Sequence, residues 1–230
     1  MTFGGIEKLT LIDFPGKIAC VVYTIGCNFR CPYCHNPALV DETIETKIEE
    51  GEVFALLERK KGFLDGIVIT GGEPTMHGDD LLRFMAEVKK RGFLVKLDTN
   101  GTSPEVLRKA LERHLVDYVA MDIKAPLTKY SATVARPVDL AAIRESIACI
   151  IASPVRYEFR TTVVKSMLSP EDIEQIGRDI RGARRYYLQK FVPSQLLLNP
   201  QFKKKTTYSD EELQAFREIL HRYVEYCEVR

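Results

Sequence analysis

Short apolar, β-branched runs alternate with amphipathic segments along most of this chain, and that alternation limits its fold more than any other feature. The runs are Ile18–Ile25, Gly66–Thr70, Leu94–Asp98, Tyr118–Lys124, Val155–Val164 and Tyr186–Val192. Between them, apolar residues recur at helical spacing over Lys47–Lys60, Asp79–Arg91, Pro104–His114, Asp139–Ala152 and Pro170–Ile180. A last helix is expected over about Asp210–Tyr226. Ser103 before Pro104 and Ser169 before Pro170 each put a capping residue ahead of a proline at the first helical position, and Ser209 is a third candidate cap. Strands that alternate with helices build a parallel sheet from βαβ units. The fold class is therefore α/β, and six such strands make an open, partial (β/α)6 barrel, an incomplete version of the eightfold form. No Gly/Ser-rich or charged linker divides the chain, so residues 1–230 read as a single domain of a length ordinary for an α/β barrel.

Composition mainly excludes. A hydrophobic content of 45% is enough for a substantial core, and a net charge of +1 offers no basic or acidic field for nucleic acid or a charged membrane. The start, Met1-Thr2-Phe3-Gly4-Gly5 followed by Glu7 and Lys8, does not look like a secretory signal, and the apolar runs are far shorter than a membrane span. The expectation is a cytoplasmic protein with no nucleic-acid and no membrane partner.

The chemistry begins after the first apolar run, at Gly26-Cys27-Asn28-Phe29-Arg30-Cys31-Pro32-Tyr33-Cys34-His35-Asn36-Pro37. Three thiolates on one short loop can converge on a soft metal centre and suit an iron–sulfur cluster. A structural [4Fe–4S] cluster takes four cysteines, so Cys27, Cys31 and Cys34 would leave one iron without a protein ligand. An open metal position is the mark of a catalytic site. A disulfide does not fit three clustered cysteines in a chain without a secretory signal. Zinc could use the three with His35 or with a distant Cys20, Cys149 or Cys227, but zinc knuckles usually pair two half-sites and no second pair exists.

Active sites of parallel α/β barrels gather at the carboxyl ends of the strands. Thr70-Gly71-Gly72-Glu73-Pro74 follows the second expected strand, Asp98-Thr99-Asn100-Gly101 the third and Asp122-Ile123-Lys124 the fourth. Two glycines let backbone approach a ligand closely, although an isolated Gly-Gly is more often a simple turn. Asp122 and Lys124 share a face of their strand, either as a structural ion pair or as acceptor and donor for a zwitterionic ligand with ribose hydroxyls. Asp98-Thr99-Asn100-Gly101 reads equally well as an Asx turn with Gly101 at positive φ.

The C-x3-C-x2-C spacing, with an aromatic residue before the last cysteine, resembles the signature of the radical S-adenosylmethionine (SAM) enzymes, and Gly71-Gly72-Glu73 looks like their "GGE" motif. Glu7-Lys8-Leu9-Thr10-Leu11-Ile12-Asp13-Phe14-Pro15-Gly16-Lys17 with Gly26–Pro37 resembles the activating proteins of anaerobic ribonucleoside-triphosphate reductase. Tyr33-Cys34-His35-Asn36 is shared with the wider glycyl-radical activating enzymes. The resemblance implies that Tyr33, Cys34 and His35 line the adenine site and that Gly71, Gly72 and Glu73 hold the methionine end. It puts Asp98 near the amino group, and Asp122, Ile123 and Lys124 at ribose and carboxylate. Arg160, in Arg160-Thr161-Thr162-Val163-Val164, is a candidate pocket residue on the fifth strand. Asp98, Thr99 and Asp122 also match positions that surround a monovalent cation in a relative. The motifs cover about residues 6–125. Between Asn36 and Lys47 there is no cysteine, so the ferredoxin-like insert that many such activases carry is absent. The histidine that closes the SAM site in one activase has no obvious match among His35, His77, His114 and His221.

The activity so implied is reductive cleavage of SAM at the open iron, giving methionine and a 5′-deoxyadenosyl radical that takes a glycine hydrogen from a partner. That partner would be a glycyl-radical enzyme, the anaerobic ribonucleotide reductase, with a low-potential flavodoxin or ferredoxin as electron donor. No general acid or base is required. The alternatives are a radical SAM enzyme acting on a small molecule or peptide, and a non-catalytic metal module. An activase should show a broad open mouth and no deep second pocket, whereas a small-molecule enzyme needs added polar groups for its substrate.

Overall fold

A computed structural model describes residues 1–230. The chain opens on a strand that the alternation does not announce, β1 (Thr2–Thr10), which pairs antiparallel with β2 (Ala19–Thr24). A single turn, α1 (Pro37–Val40), leads to the two-residue β3 (Ile48–Glu49), which pairs with Thr2 and Phe3 on the far side of β1. Regular alternation follows: α2 (Glu50–Arg59), β4 (Gly66–Gly71), α3 (Gly78–Lys90), β5 (Leu94–Thr99), α4 (Pro104–Glu112) and β6 (Tyr118–Asp122). The short α5 (Tyr130–Thr133) and the longer α6 (Leu140–Ala152) precede β7 (Arg156–Val163). The chain ends with α7 (Pro170–Asp179), β8 (Tyr186–Lys190), α8 (Asp210–Leu220) and β9 (Cys227–Val229).

The strands form one sheet in the order β3-β1-β2-β4-β5-β6-β7-β8-β9. From β2 to β9 every pairing is parallel, so the six expected strands stand side by side as the sequence implies. Three further strands extend the sheet at its edges. The sheet does not close on itself, as expected for a partial barrel. Two helix limits lie three or more residues from those expected, the others within two. Ile48 and Glu49 are drawn into the sheet, so α2 starts at Glu50 instead of Lys47. α8 stops at Leu220, because the chain must turn back to bring Cys227 beside Tyr186.

Two of the three serine caps form. Ser169 and Ser209 each accept from the backbone N–H three residues on, and Asp172 and Glu212 reciprocate at the cap N–H. Ser103 stands where expected, yet its side chain makes no capping bond.

Alternation along the strands separates two faces. Outward residues such as Ile67, Ile69, Val95 and Leu97 join the helices in a core of 54 buried residues. The inner face carries a small plug of Phe14, Ala19, Val21, Val68, Tyr118 and Ala120. The same inward register brings Thr70, Asp98, Asp122 and Arg160 toward the carboxyl ends. The barrel is thus apolar at one end and charged at the other.

Candidate active site

β2 delivers the chain to Gly26, whose φ of +88° turns it into the cysteine loop. Cys27, Cys31 and Cys34 all line one cavity of about 240 Å³. Phe29 N donates to Cys27 Sγ at 3.4 Å and Asn36 N to Cys34 Sγ at 3.5 Å, contacts that stabilise thiolate charge. Arg30 Nη1 holds the loop by donating to the carbonyls of Cys27 and Phe29, at 2.6 and 2.9 Å. Burial pushes the Cys27 thiol up to about 12 and raises that of Cys31 as well. Such thiols ionise only when a cation takes the proton's place. No three His, Cys, Asp or Glu side chains are drawn together tightly enough for a single ion.

The segment after β8 braces this loop, a role no sequence signal indicates. Leu198 N donates to Cys34 O and Asn199 N to Pro32 O, both at 3.0 Å. His35 Nδ1 lies 2.9 Å from Ser194 Oγ, and the rings of Tyr33 and His35 approach Phe191.

Gly71 and Gly72 prove necessary for packing of the chain on itself. Gly72 N donates to Thr24 O at 2.9 Å and Glu73 N to Gly26 O at 2.8 Å. A Cβ at Gly72 would lie 1.8 Å from Gly26 O, and one at Gly71, where φ is +115°, would lie 2.3 Å from Thr24 N. From sequence alone, the two glycines allow close approach of a ligand. The structure adds that they seat the exit of β4 against the start of the cysteine loop. Glu73, only 1% exposed, then clamps the neighbouring strand end. Its carboxylate accepts from Thr75 N, Thr75 Oγ1, Thr99 Oγ1 and Asn100 N at 2.6–3.0 Å. Burial raises its pKa while these bonds oppose the rise. Asn100 forms the expected Asx turn, accepting from Thr102 N at 3.1 Å, with Gly101 at φ +79°.

The charged residues form one chain of ion pairs. Asp122 accepts from Lys124 Nζ at 3.0 Å and from Arg160 Nε at 2.9 Å, so the structural pairing of Asp122 with Lys124 is realised. Arg160 Nη1 also reaches Asp98 at 3.1 Å, and Lys96 binds the other oxygen of Asp98. Burial opposes ionisation of Asp122, but Arg160 and Lys124 outweigh it and hold the carboxyl well below the usual carboxylate range. Against the same burial, Asp122 raises Lys124, and Asp122 with Asp98 raises Arg160.

Of the expected residues, Tyr33, Cys34, His35, Gly71, Gly72, Glu73, Asp98, Asp122 and Lys124 line the cavity. Ile123 does not. Its side chain is in the core, its N donates to Arg160 O at 2.7 Å and its O accepts from Thr161 Oγ1 at 2.6 Å. Arg160 is not on the cavity wall either, and touches the site through Asp98 and Asp122. It lines a second cavity of about 410 Å³ on the inner face, with Ile12, Asp13, Pro15, Lys96, Glu158, Gln189 and Arg230. An activase was not expected to have this space. Its charges are largely paired within the protein: Lys96 with Asp98, and Arg230 with Glu158 at 3.1 Å.

The Tyr33 hydroxyl is buried without any hydrogen-bond partner. With three thiols, three carboxylates and a lysine on the same walls, this orphaned donor fits a site built for an iron–sulfur cluster and a polar ligand.

Comparison with known proteins agrees. A family model described as the radical SAM superfamily matches residues 21–181. A protein of Methanocaldococcus jannaschii, named as a candidate glycyl-radical enzyme activating enzyme, is 36% identical over 230 residues, covering 98% of this chain and 94% of that one. The pyruvate formate-lyase-activating enzyme of Streptococcus mutans is 35% identical over 129 residues, 51% of this chain and 48% of that enzyme. A solved radical SAM methyltransferase from Sphaerobacter thermophilus shares the fold, with a TM-score of 0.67 at 21% identity over 96% of this chain and 68% of that one. The chain belongs to the radical SAM superfamily, whose members use a [4Fe–4S] cluster and SAM. Within it, the chain is homologous to the glycyl-radical enzyme activating enzymes, and this likeness runs well beyond residue 125. No helix is long and apolar enough to cross a membrane.

Proposed function

We propose that this protein is the activase of an anaerobic ribonucleoside-triphosphate reductase, acting as one cytoplasmic domain. The observation that carries the reading is the meeting of Cys27, Cys31, Cys34, Gly72, Asp122 and Lys124 on one cavity. Cys27, Cys31 and Cys34 would hold a [4Fe–4S] cluster, with the other residues of the cavity left to bind SAM. Such a cluster would supply the low-potential electron for reductive cleavage of SAM, and with it the radical chemistry by which an activase removes a glycine hydrogen from its partner. The chain's own residues bind, orient and exclude water. Tyr33, Cys34 and His35 face the adenine, and Tyr33 offers its unpaired hydroxyl. Gly71, Gly72 and Glu73 fix the backbone against which the methionine end rests. Asp122 and Lys124 serve ribose and carboxylate, and Asp98 the amino group. Arg160 holds Asp98 and Asp122 in place.

A protein partner is supported by apolar side chains left in water. Ile12, 86% exposed, is part of the second cavity's wall, and Val192 and Leu196, 67% and 69% exposed, follow β8. Exposed Lys203, Lys204 and Lys205 come directly after the segment bonded to the cysteine loop, and suit an acidic flavodoxin or ferredoxin as electron donor. The deciding experiment mixes the protein anaerobically with the reductase of the same genome, SAM and reductant, and looks for a glycyl-radical doublet by electron paramagnetic resonance. 5′-Deoxyadenosine formed without a glycyl radical on that reductase, or on any glycyl-radical enzyme of the organism, rejects the activase reading. The second reading, a radical SAM enzyme for a small molecule or peptide, is favoured by one observation, the polar second cavity.

A further inference from the structure

Asp98 and Asp122 stand at the ends of neighbouring strands, and both oxygens of each are occupied. Asp98 accepts from Lys96 on Oδ1 and from Arg160 on Oδ2, while Asp122 accepts from Arg160 on Oδ1 and from Lys124 on Oδ2. The Thr99 hydroxyl donates to Glu73 at 2.7 Å and accepts from Gly101 N at 3.1 Å. Every oxygen of Asp98 and Asp122 thus already meets a cationic nitrogen of the protein, so a further monovalent cation among the positions that the resemblance implies would face like charge, and these residues do not fit that ion.

Lys96 accounts for the difference at Asp98. Its side chain is 2% exposed on the inner face of β5, two residues before Asp98, and its one anionic partner within salt-bridge distance is that carboxylate. A buried ammonium is costly unless paired, and a carboxylate beside a cofactor pocket needs a fixed partner to keep its position. One lysine meets both needs with a covalently attached cation.

We propose that Lys96 is a tethered cation that takes the place of a bound monovalent metal ion and positions Asp98 for SAM without sodium or potassium. The inference rests on the reading of this pocket as the SAM site. It makes Lys96 a positioning residue, one step removed from the ligand.

The test compares the cluster-loaded wild type with Lys96→Met in choline, sodium and potassium chloride at equal ionic strength. SAM binding is measured by equilibrium dialysis, and melting temperature is measured without SAM. The wild type is expected to bind SAM equally tightly in all three salts. Lys96→Met is expected to bind about ten- to a hundredfold more weakly in choline, the loss of one charged hydrogen bond. It should regain most of that in sodium or potassium, as a free ion fills the position left by the ammonium. Its melting temperature should likewise rise on exchanging choline for one of these ions, while that of the wild type stays constant. A wild type that needs sodium or potassium to bind SAM overturns the proposal. So does a variant weakened equally in all three salts, which would make Lys96 a plain structural ion pair. If Lys96→Met fails to fold, Lys96→Gln takes its place with the same expected rescue by sodium or potassium, and equal weakness of that variant in all three salts overturns the proposal. If the wild type binds no SAM in any salt, the pocket's assignment falls, and the melting temperatures still judge Lys96.

Discussion

Lys124 and Gly72 line the same cavity for different physical reasons, and substitution separates them. Lys124 is partly exposed to the cavity, bonded to Asp122, and touches no element of the cysteine loop through a hydrogen bond of its side chain. Lys124→Ala should raise the dissociation constant for SAM about ten- to a hundredfold and leave iron content unchanged, the effect of deleting one charged donor. Calorimetric titration of cluster-loaded protein, with an iron assay, measures both. Gly72→Val should behave otherwise. Its Cβ would meet Gly26 O at 1.8 Å, backbone that cannot swing away, so the cysteine loop itself must shift. Reduced iron loading together with reduced SAM binding is the expected result. Normal iron content with a selective loss of SAM binding would mean that the glycine serves only the ligand.

Helix starts show how far local sequence decides an element. Ser169 and Pro170 begin α7 and Ser103 and Pro104 begin α4 in the same pattern, yet only Ser169 caps. Ser169→Ala should therefore cost about 1 kcal/mol of stability, while Ser103→Ala should be nearly neutral. Urea midpoints distinguish them, and equal losses would contradict the capping geometry. The same contrast marks what was legible at this scale. β4, β5 and β6 are buried on both faces, so their apolar runs stand out in sequence. β1 is a half-exposed strand with only the two-residue β3 beyond it and Gly4-Gly5 in its first half, and it is made a strand by its pairing with β2. The cysteine loop, the glycine turn and Asp98, Asp122 and Lys124 were legible because each follows a recognisable strand. Lys96 was not, since a lysine within an apolar strand gives no sign of which carboxylate it meets. The brace from residues 191–199, and the second cavity, join residues far apart in the chain, and no local pattern encodes such meetings. Ile123 was placed in the pocket by its neighbours, although period two turns it into the core.

At the scale of the whole molecule, the cluster must receive an electron through the face that carries its loop. Lys203, Lys204 and Lys205 continue from Asn199, which is bonded to Pro32 between two of the cysteines. Reversing the three charges to glutamate should slow reduction by an acidic protein donor and invert its dependence on salt, added salt now speeding it, while reduction by dithionite stays at the wild-type rate. Stopped-flow absorbance at several ionic strengths follows both reactions, and unchanged protein-driven kinetics would remove these lysines from the docking face. The central claim is that three cysteines hold a four-iron cluster with one iron open to SAM. Anaerobic reconstitution followed by electron paramagnetic resonance with and without SAM tests it most directly. The account predicts about four irons per chain, a [4Fe–4S]+ signal that SAM perturbs, and loss of that signal in Cys27→Ala, Cys31→Ala and Cys34→Ala. Zinc binding alone, or a full cluster in Cys31→Ala, would contradict it.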